Sequence, residues 1–453
     1  MVFNSLIFVF CFLPVSVFLY WIVPGSFVKN VVLFVLSLLF YAWNEPFYLI
    51  LLLLNIAWNY LSALELGQEE DEKKRKIVFW ITIAVNLLLL GAFKYTNFLL
   101  GIFGIAAFDV SLPVGLSFFT FSAISYIADV YKGTSPAQKN PLDLGLYIAF
   151  FGKITSGPIA FYHDMENQLA YRPLSKELFF SGVCLFAKGL IKKVLLADQF
   201  ALVFSALSAN TSMLGAWIYA ISYMLEIYFD FSGYSDMAIG IGRMFGFTMK
   251  PNFDHPYSAI SVQDFWRRWH ISLSSWFRDY VYIPLGGNRH DYVRNILIVW
   301  FLTGLWHGAN WTFILWGLYY GGILLLEKFV LKPYLQTLPK IICHLYTLVL
   351  VLIGWVFFFS PGILEAFSTL GRMINVVHPM DSQVLFVLFG NLPLFILGVL
   401  FSGTLYDRVF HLFMDRSPKR ASAIYTFLYV LFFVVCIAFM VGSTYQSFLY
   451  FAF

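Results

Sequence analysis

The sequence predicts an all-α, polytopic integral membrane protein, and three observations carry that prediction. Hydrophobic residues make up 60% of the 453 residues and charged residues only 12%. With 52 Phe and 13 Trp, the chain holds more apolar surface than a soluble core of this size absorbs. Its apolar runs are continuous over bilayer-crossing lengths, about 20 residues each, rather than alternating as barrel strands do. Run lengths predict about eleven spans with half-helices between them. No linker or soluble domain interrupts residues 1–453, which read as one membrane domain.

The first run, 3–23, lacks a basic flank and a cleavage site and reads as a retained helix. Runs 31–43 and 47–64 form a pair around Asn44-Glu45-Pro46. The loop QEEDEKKRK at 68–76 is the densest charge in the N-terminal part, and its bases place it in the cytoplasm. Counting back puts the N-terminus outside; run 77–93 crosses outward. Run 112–128 is dotted with Ser, Thr, Gly and Pro, which predicts helix–helix contact and a bend. Run 144–160 carries Lys153 and then Thr155-Ser156-Gly157-Pro158. That reads as an interrupted helix facing a cavity, or as a lysine snorkelling from a helix end.

Lys188, Lys192 and Lys193 fall at helical spacing and read as an inner-face anchor. Run 200–225 leads into Glu226, Asp230 and Asp236 among aromatics; such carboxylates must be paired, hydrated or protonated. Residues 243–294 form a cytoplasmic block rich in arginine. Runs 341–359, 384–405 and 424–440 then alternate with basic loops 328–340 and 408–420, which puts the C-terminus outside. The net charge of +4 is spread over loops and gives no nucleic-acid footprint. Cys11, Cys184, Cys343 and Cys436 lie singly in apolar runs, without metal-ligand spacing.

Two stretches concentrate chemistry. Residues 295–326 contain no charged side chain if His307 is neutral. As one straight helix, this run puts His307 about 18 Å from Asn295, near mid-bilayer. An imidazole at that depth is either functional or a core histidine satisfied by a hydrogen bond. Residues 261–282 (SVQDFWRRWHISLSSWFRDYVY) read as one amphipathic helix, with Ser261 and Asp264 as a capping box. Phe265, Trp269, Leu273, Trp276 and Tyr280 share one face; Arg267, His270, Ser274 and Arg278 share the other. This suits an interfacial helix, and the arginine stripe also suits the phosphates of a cytoplasmic donor.

The pieces LPVGLSFFTFSAISYIADVYKG, YFDFSGYSDMAIG, FWRRWHISLSSWFRDYVYIPLGGNR and GLWHGANWTFILWG occur in this order. Together they resemble the membrane-bound O-acyltransferase family, most closely the bacterial branch typified by the alginate O-acetyltransferase membrane subunit. Phe40-Tyr41-Ala42-Trp43 and Phe448-Leu449-Tyr450-Phe451 are similar in kind, so the resemblance covers nearly the whole chain. Where that branch commonly has Ala-Gly-Pro, this chain has Ser156-Gly157-Pro158.

The resemblance implies spans around a central tunnel in a bacterial inner membrane, with catalytic positions at His307 and His270. It implies acetyl-CoA as the donor substrate, with no permanently bound cofactor. The acceptor is a polysaccharide hydroxyl such as alginate, peptidoglycan or cellulose, reached with a periplasmic partner. On this reading His307 is the general base and His270 orients or polarises the thioester. Arg267, Arg278, Ser274 and Trp269 hold the donor. Asn310 and Trp306 support His307, and Asp230, Asp236 and Arg267 form a supporting ion network. No nucleophile elbow is present, which favours direct transfer or relay through a partner. A transporter with His307, Asp230 and Lys153 along its path, or an export scaffold, are the competing readings.

Overall fold

The computed structural model describes residues 1–108 and 111–442. The closing motif at 448–451 therefore lies outside the described residues. Among them every regular element is helical. Among the described residues six helices are long and apolar enough to cross a bilayer: Ser26–Asn44, Tyr48–Gln68, Glu72–Lys94, Trp311–Thr337, Lys340–Phe359 and Pro418–Gly442. The pair Ser382–Gly390 and Leu392–Ser402, bent by 59°, makes a seventh if it is one span.

The gap to the eleven expected spans has a local cause. Several apolar runs are short or broken into pieces. Run 3–23 is not broken but short: a π-helical Phe8–Phe12 continues directly into Leu13–Ile22, and the whole falls below spanning length. Run 144–160 is helical only over Pro141–Ala149 and then turns at 151–157. That break agrees with the expectation of an interrupted helix, and Pro158 keeps Gly157 from resuming it.

The chain divides into two compact units. The first comprises Met1–Phe186 and Tyr234–Pro251. Its Tyr48–Gln68 and Glu72–Lys94 helices are joined by an amide ladder: Asn55 donates to Asn86 at 2.8 Å, and Asn86 donates back to Asn59 at 2.9 Å. Polar side chains of this kind hold apolar helices together where the hydrophobic effect cannot. Gly115 starts the Leu116–Lys132 helix at φ 76°, and a Cβ there would lie 2.3 Å from the Ile154 carbonyl oxygen. The broken segment therefore seats on that glycine. Lys153 is buried in this segment, donating to Ser122 Oγ at 3.1 Å, with Nζ 4.1 Å from the Tyr147 ring centroid. A snorkelling lysine would reach water; this one points inward.

The second unit comprises Ala187–Gly233 and, among the described residues, 252–442. Its organising feature is a hairpin of two sixteen-residue helices, Tyr292–His307 and Trp311–Leu326. A Cβ on Gly304 would sit 2.3 Å from the Phe313 oxygen, and one on Gly317 would sit 2.2 Å from the Trp300 oxygen. Descending numbers on one helix meet ascending numbers on the other, so the two run antiparallel with their backbones in contact. Only glycine permits that approach. Around the hairpin lies an aromatic core that includes Trp266, Trp269, Trp316, Tyr320 and Trp355, all buried.

Candidate active site

His307 is the last residue of its helix, not the middle of a continuous one. The run 295–326 is not one straight helix: Gly308 is extended at φ −178°, and Asn310 caps the next helix by accepting from the Thr312 N–H. The sequence signal for this break is Gly308-Ala309-Asn310, a helix stop followed by a preferred N-cap. The break puts His307 at the tip of the hairpin. Its ring is only 2% exposed and is held among Trp306, Trp316 and Phe358, with centroids 4.9, 4.9 and 5.1 Å away.

His270 also marks a break. The amphipathic stretch forms two seven-residue helices, Val262–Arg268 and Ile271–Phe277, followed by a π-helical Arg278–Tyr282. The capping box is only half formed: Ser261 accepts from the Asp264 N–H. Between the two helices His270 adopts φ 45°, ψ 53°. A left-handed non-glycine residue costs roughly 1–2 kcal/mol, so something must hold it there. Asn252 does so. Its carbonyl accepts the Ile271 N–H at 2.9 Å, and its Oδ1 accepts the Ser272 N–H at 3.0 Å and the Ser272 hydroxyl at 2.9 Å.

The same oxygen lies 3.2 Å from His270 Nδ1. A backbone N–H can only donate, so Ser272 fixes that atom of Asn252 as the oxygen, and Nδ1 of His270 then carries the proton. Complete burial pushes the His270 imidazole down to about 3, so it is neutral. Sequence reasoning missed Asn252 because nothing in Pro251-Asn252-Phe253 distinguishes a fold anchor from a loop asparagine.

The kink separates residues that a continuous helix would put on one stripe. His270 turns inward against Phe231 (4.6 Å) and Trp306 (5.9 Å). Trp306 thus touches both histidine rings, since it also flanks His307. Trp269 is buried against Phe253, Phe265 and Trp355. Arg267, Ser274 and Arg278 instead line a cavity of about 660 Å³, to which neither Trp269 nor His270 contributes.

That cavity has a basic rim and an aromatic floor. Lys328 and Lys332 join the two arginines, and Trp266, Trp300 and Thr303 form the inner wall. Its one carboxylate, Glu327, is engaged by the Val262 and Gln263 N–H groups at 2.7 and 3.0 Å. Arg278 is forked onto Asp279 at 2.7 and 2.9 Å. Thr303 lies four residues before His307 on the same helix, so the cavity ends one turn, about 6 Å, short of the histidine.

The supporting residues divide. Asn310 is a cap, and its amide also donates to the Pro361 carbonyl at 2.9 Å. Asp230 is buried and paired with Lys193 at 2.6 Å, which also holds Asp198 at 2.8 Å. Lys193 therefore supplies the cation expected of Arg267, which is exposed on the cavity wall. The anchor assigned to Lys188, Lys192 and Lys193 also divides, since Lys193 is buried. Asp236 is partly buried and falls in the first unit.

The family model of membrane-bound O-acyltransferases matches residues 32–368. The chain is 41% identical to a probable alginate O-acetylase of Azotobacter vinelandii, covering 83% of this chain and 78% of that one. It is 36% identical to the peptidoglycan O-acetyltransferase of Helicobacter pylori, covering 83% and 80%. A teichoic acid D-alanyltransferase of Bacillus subtilis is 29% identical over 48% of this chain and 60% of its own. A match over most of the sequence makes this chain a member of the membrane-bound O-acyltransferase family and an O-acyltransferase.

Proposed function

We propose that this protein takes an acetyl group from acetyl-CoA on the cytoplasmic face of a bacterial inner membrane. It passes the group toward a hydroxyl of an extracytoplasmic polysaccharide, with a periplasmic partner completing delivery. The observation that carries this reading is the cavity with Arg267 and Arg278 on its rim and Thr303 at its inner end, one helical turn from His307. Guanidinium and ammonium groups match the phosphates of a nucleotide thioester. The aromatic inner wall suits the uncharged arm leading to the acyl group. The named activities of the relatives supply the acceptor class. The eleven-span count and the tunnel through the membrane belong to this reading too.

His307 acts as the general base. It takes the proton of the acceptor hydroxyl as the oxygen attacks the thioester carbonyl carbon. The carbon–sulfur bond then breaks, and the CoA thiolate leaves and is protonated. Base assistance of this kind is worth roughly 10²–10⁴-fold. His270, neutral and with its proton on Nδ1, is a positioning group whose ring fixes Trp306 against His307. Asn310 acts through the hairpin turn it caps.

The test is transfer or hydrolysis of labelled acetyl-CoA by the purified protein. Label should move to water, acceptor or partner only when donor is present. Flux of a sugar or ion without donor consumption would favour a transporter and reject the reading.

A further inference from the structure

A second cavity of about 310 Å³ lies in the second unit, and the acyltransfer reading makes no use of it. That volume is at the small end of ligand sites, about 300–1,000 Å³. Leu195, Leu196, Leu397, Phe401, Leu428 and Phe432 supply apolar walls. Two ammonium groups, Lys188 and Lys192, border it one turn apart. Their Nζ atoms lie 5.8 Å from the Tyr406 ring and 5.9 Å from the Tyr228 ring. The one carboxylate in its lining, Asp407, is engaged by His255 Nε2 at 2.7 Å.

The Leu405–Arg416 helix forms one side of this cavity. It exposes Leu405, Val409, Leu412 and Phe413 at i, i+4, i+7 and i+8. Tyr406 and Phe410 turn instead toward Tyr425, at 6.4 and 4.6 Å. Arg408 and Arg416 are exposed, as are Lys419 and Arg420 just beyond the helix. A short helix with an exposed apolar stripe beside basic residues lies in a membrane interface. The basic bias of 408–420 puts that interface on the cytoplasmic side.

We propose that this cavity binds an anionic glycerophospholipid of the cytoplasmic leaflet. An acyl chain lies along the leucine and phenylalanine walls, and the phosphate sits at Lys188 and Lys192. Basic pockets between membrane helices on this side suit such headgroups. A zwitterionic lipid would bring a further cation to two lysines. A free phosphate would leave the apolar walls without a partner.

The test uses the purified full chain in neutral detergent. Dioleoylphosphatidylglycerol or dioleoylphosphatidylcholine is added, and the thermal unfolding midpoint and lipid retention by native mass spectrometry are read. The expected result is a saturable rise in midpoint and retained lipid with phosphatidylglycerol only. Lys188→Gln and Lys192→Gln should each weaken the half-saturating concentration by roughly five-fold. Leu428→Trp, which fills the cavity without touching charge, should abolish saturation. It decides the matter if the lysine variants fail to fold. The pair Arg416→Gln and Lys419→Gln, outside the cavity, should leave binding unchanged. Equal response to both lipids, equal response to inorganic phosphate, or equal loss from Arg416→Gln with Lys419→Gln would overturn the proposal.

Discussion

The two stretches that each carry a histidine, 295–326 and 261–282, teach by their difference. Each reads as one helix in the sequence, and each breaks at its histidine. At His307 the break follows local rules: a helix ends, an extended glycine follows, and Asn310 caps the next helix. At His270 it defies them, because a histidine in the left-handed region is held by Asn252, eighteen residues away. The first break costs little and leaves His307 at a hairpin tip among three aromatic rings. The second is strained and tied down, as functional sites often are. On the proposed function, the hairpin presents the reacting group and the kink aims the shell behind it.

This contrast can be broken by experiment. The largest effect belongs to the hairpin tip. His307→Ala should lower acyl transfer by at least about 100-fold, with membrane insertion unchanged. Near-normal transfer of labelled acetyl in that variant would remove His307 from the chemistry.

The cavity rim comes next. Arg267→Ala and Arg278→Ala should each raise the donor KM by roughly ten-fold, as lost charged hydrogen bonds do, with kcat nearly unchanged. High salt should mimic them in the wild type. A fall in kcat at constant KM would mean that the rim does not bind donor.

The kink should respond in stability first. Asn252→Ala should cost about 2–3 kcal/mol, read as a lower thermal inactivation midpoint, with a smaller loss of rate than His307→Ala. The same site predicts a pH effect. The unfolded His270 binds a proton below about 6.5, whereas the folded ring does so only near 3. Stability contributed by His270 is complete above pH 6.5 and is lost as pH falls below it. His270→Asn, which tolerates the left-handed backbone, should flatten that decline; an unchanged slope would show that other groups dominate it.

The smallest effect is at the cap. Asn310→Ala should cost about 1 kcal/mol and change the rate little. A loss comparable to that of His307→Ala would give Asn310 a direct role.

Composition and run length alone determined that the chain is helical and membrane-embedded, because burial of so much apolar surface has no other solution. Ordered motifs also determined the family and pointed to both histidines. The sequence could also announce the turn at Gly308-Ala309-Asn310, since a helix stop and a cap are local events. Tertiary structure alone decided which apolar runs are continuous spans, because the contacts that seat Gly115 on Ile154 and Gly317 on Trp300 are non-local. It alone decided that Trp269 and His270 face the core while Arg267, Ser274 and Arg278 face a cavity. Helical periodicity assumes an unbroken helix, and hydrogen bonds donated to a distant asparagine cancel that assumption. The same holds for Asp230, whose cation is Lys193. Charge pairing inside a low-dielectric interior is set by distance in space, which spacing along the chain does not encode.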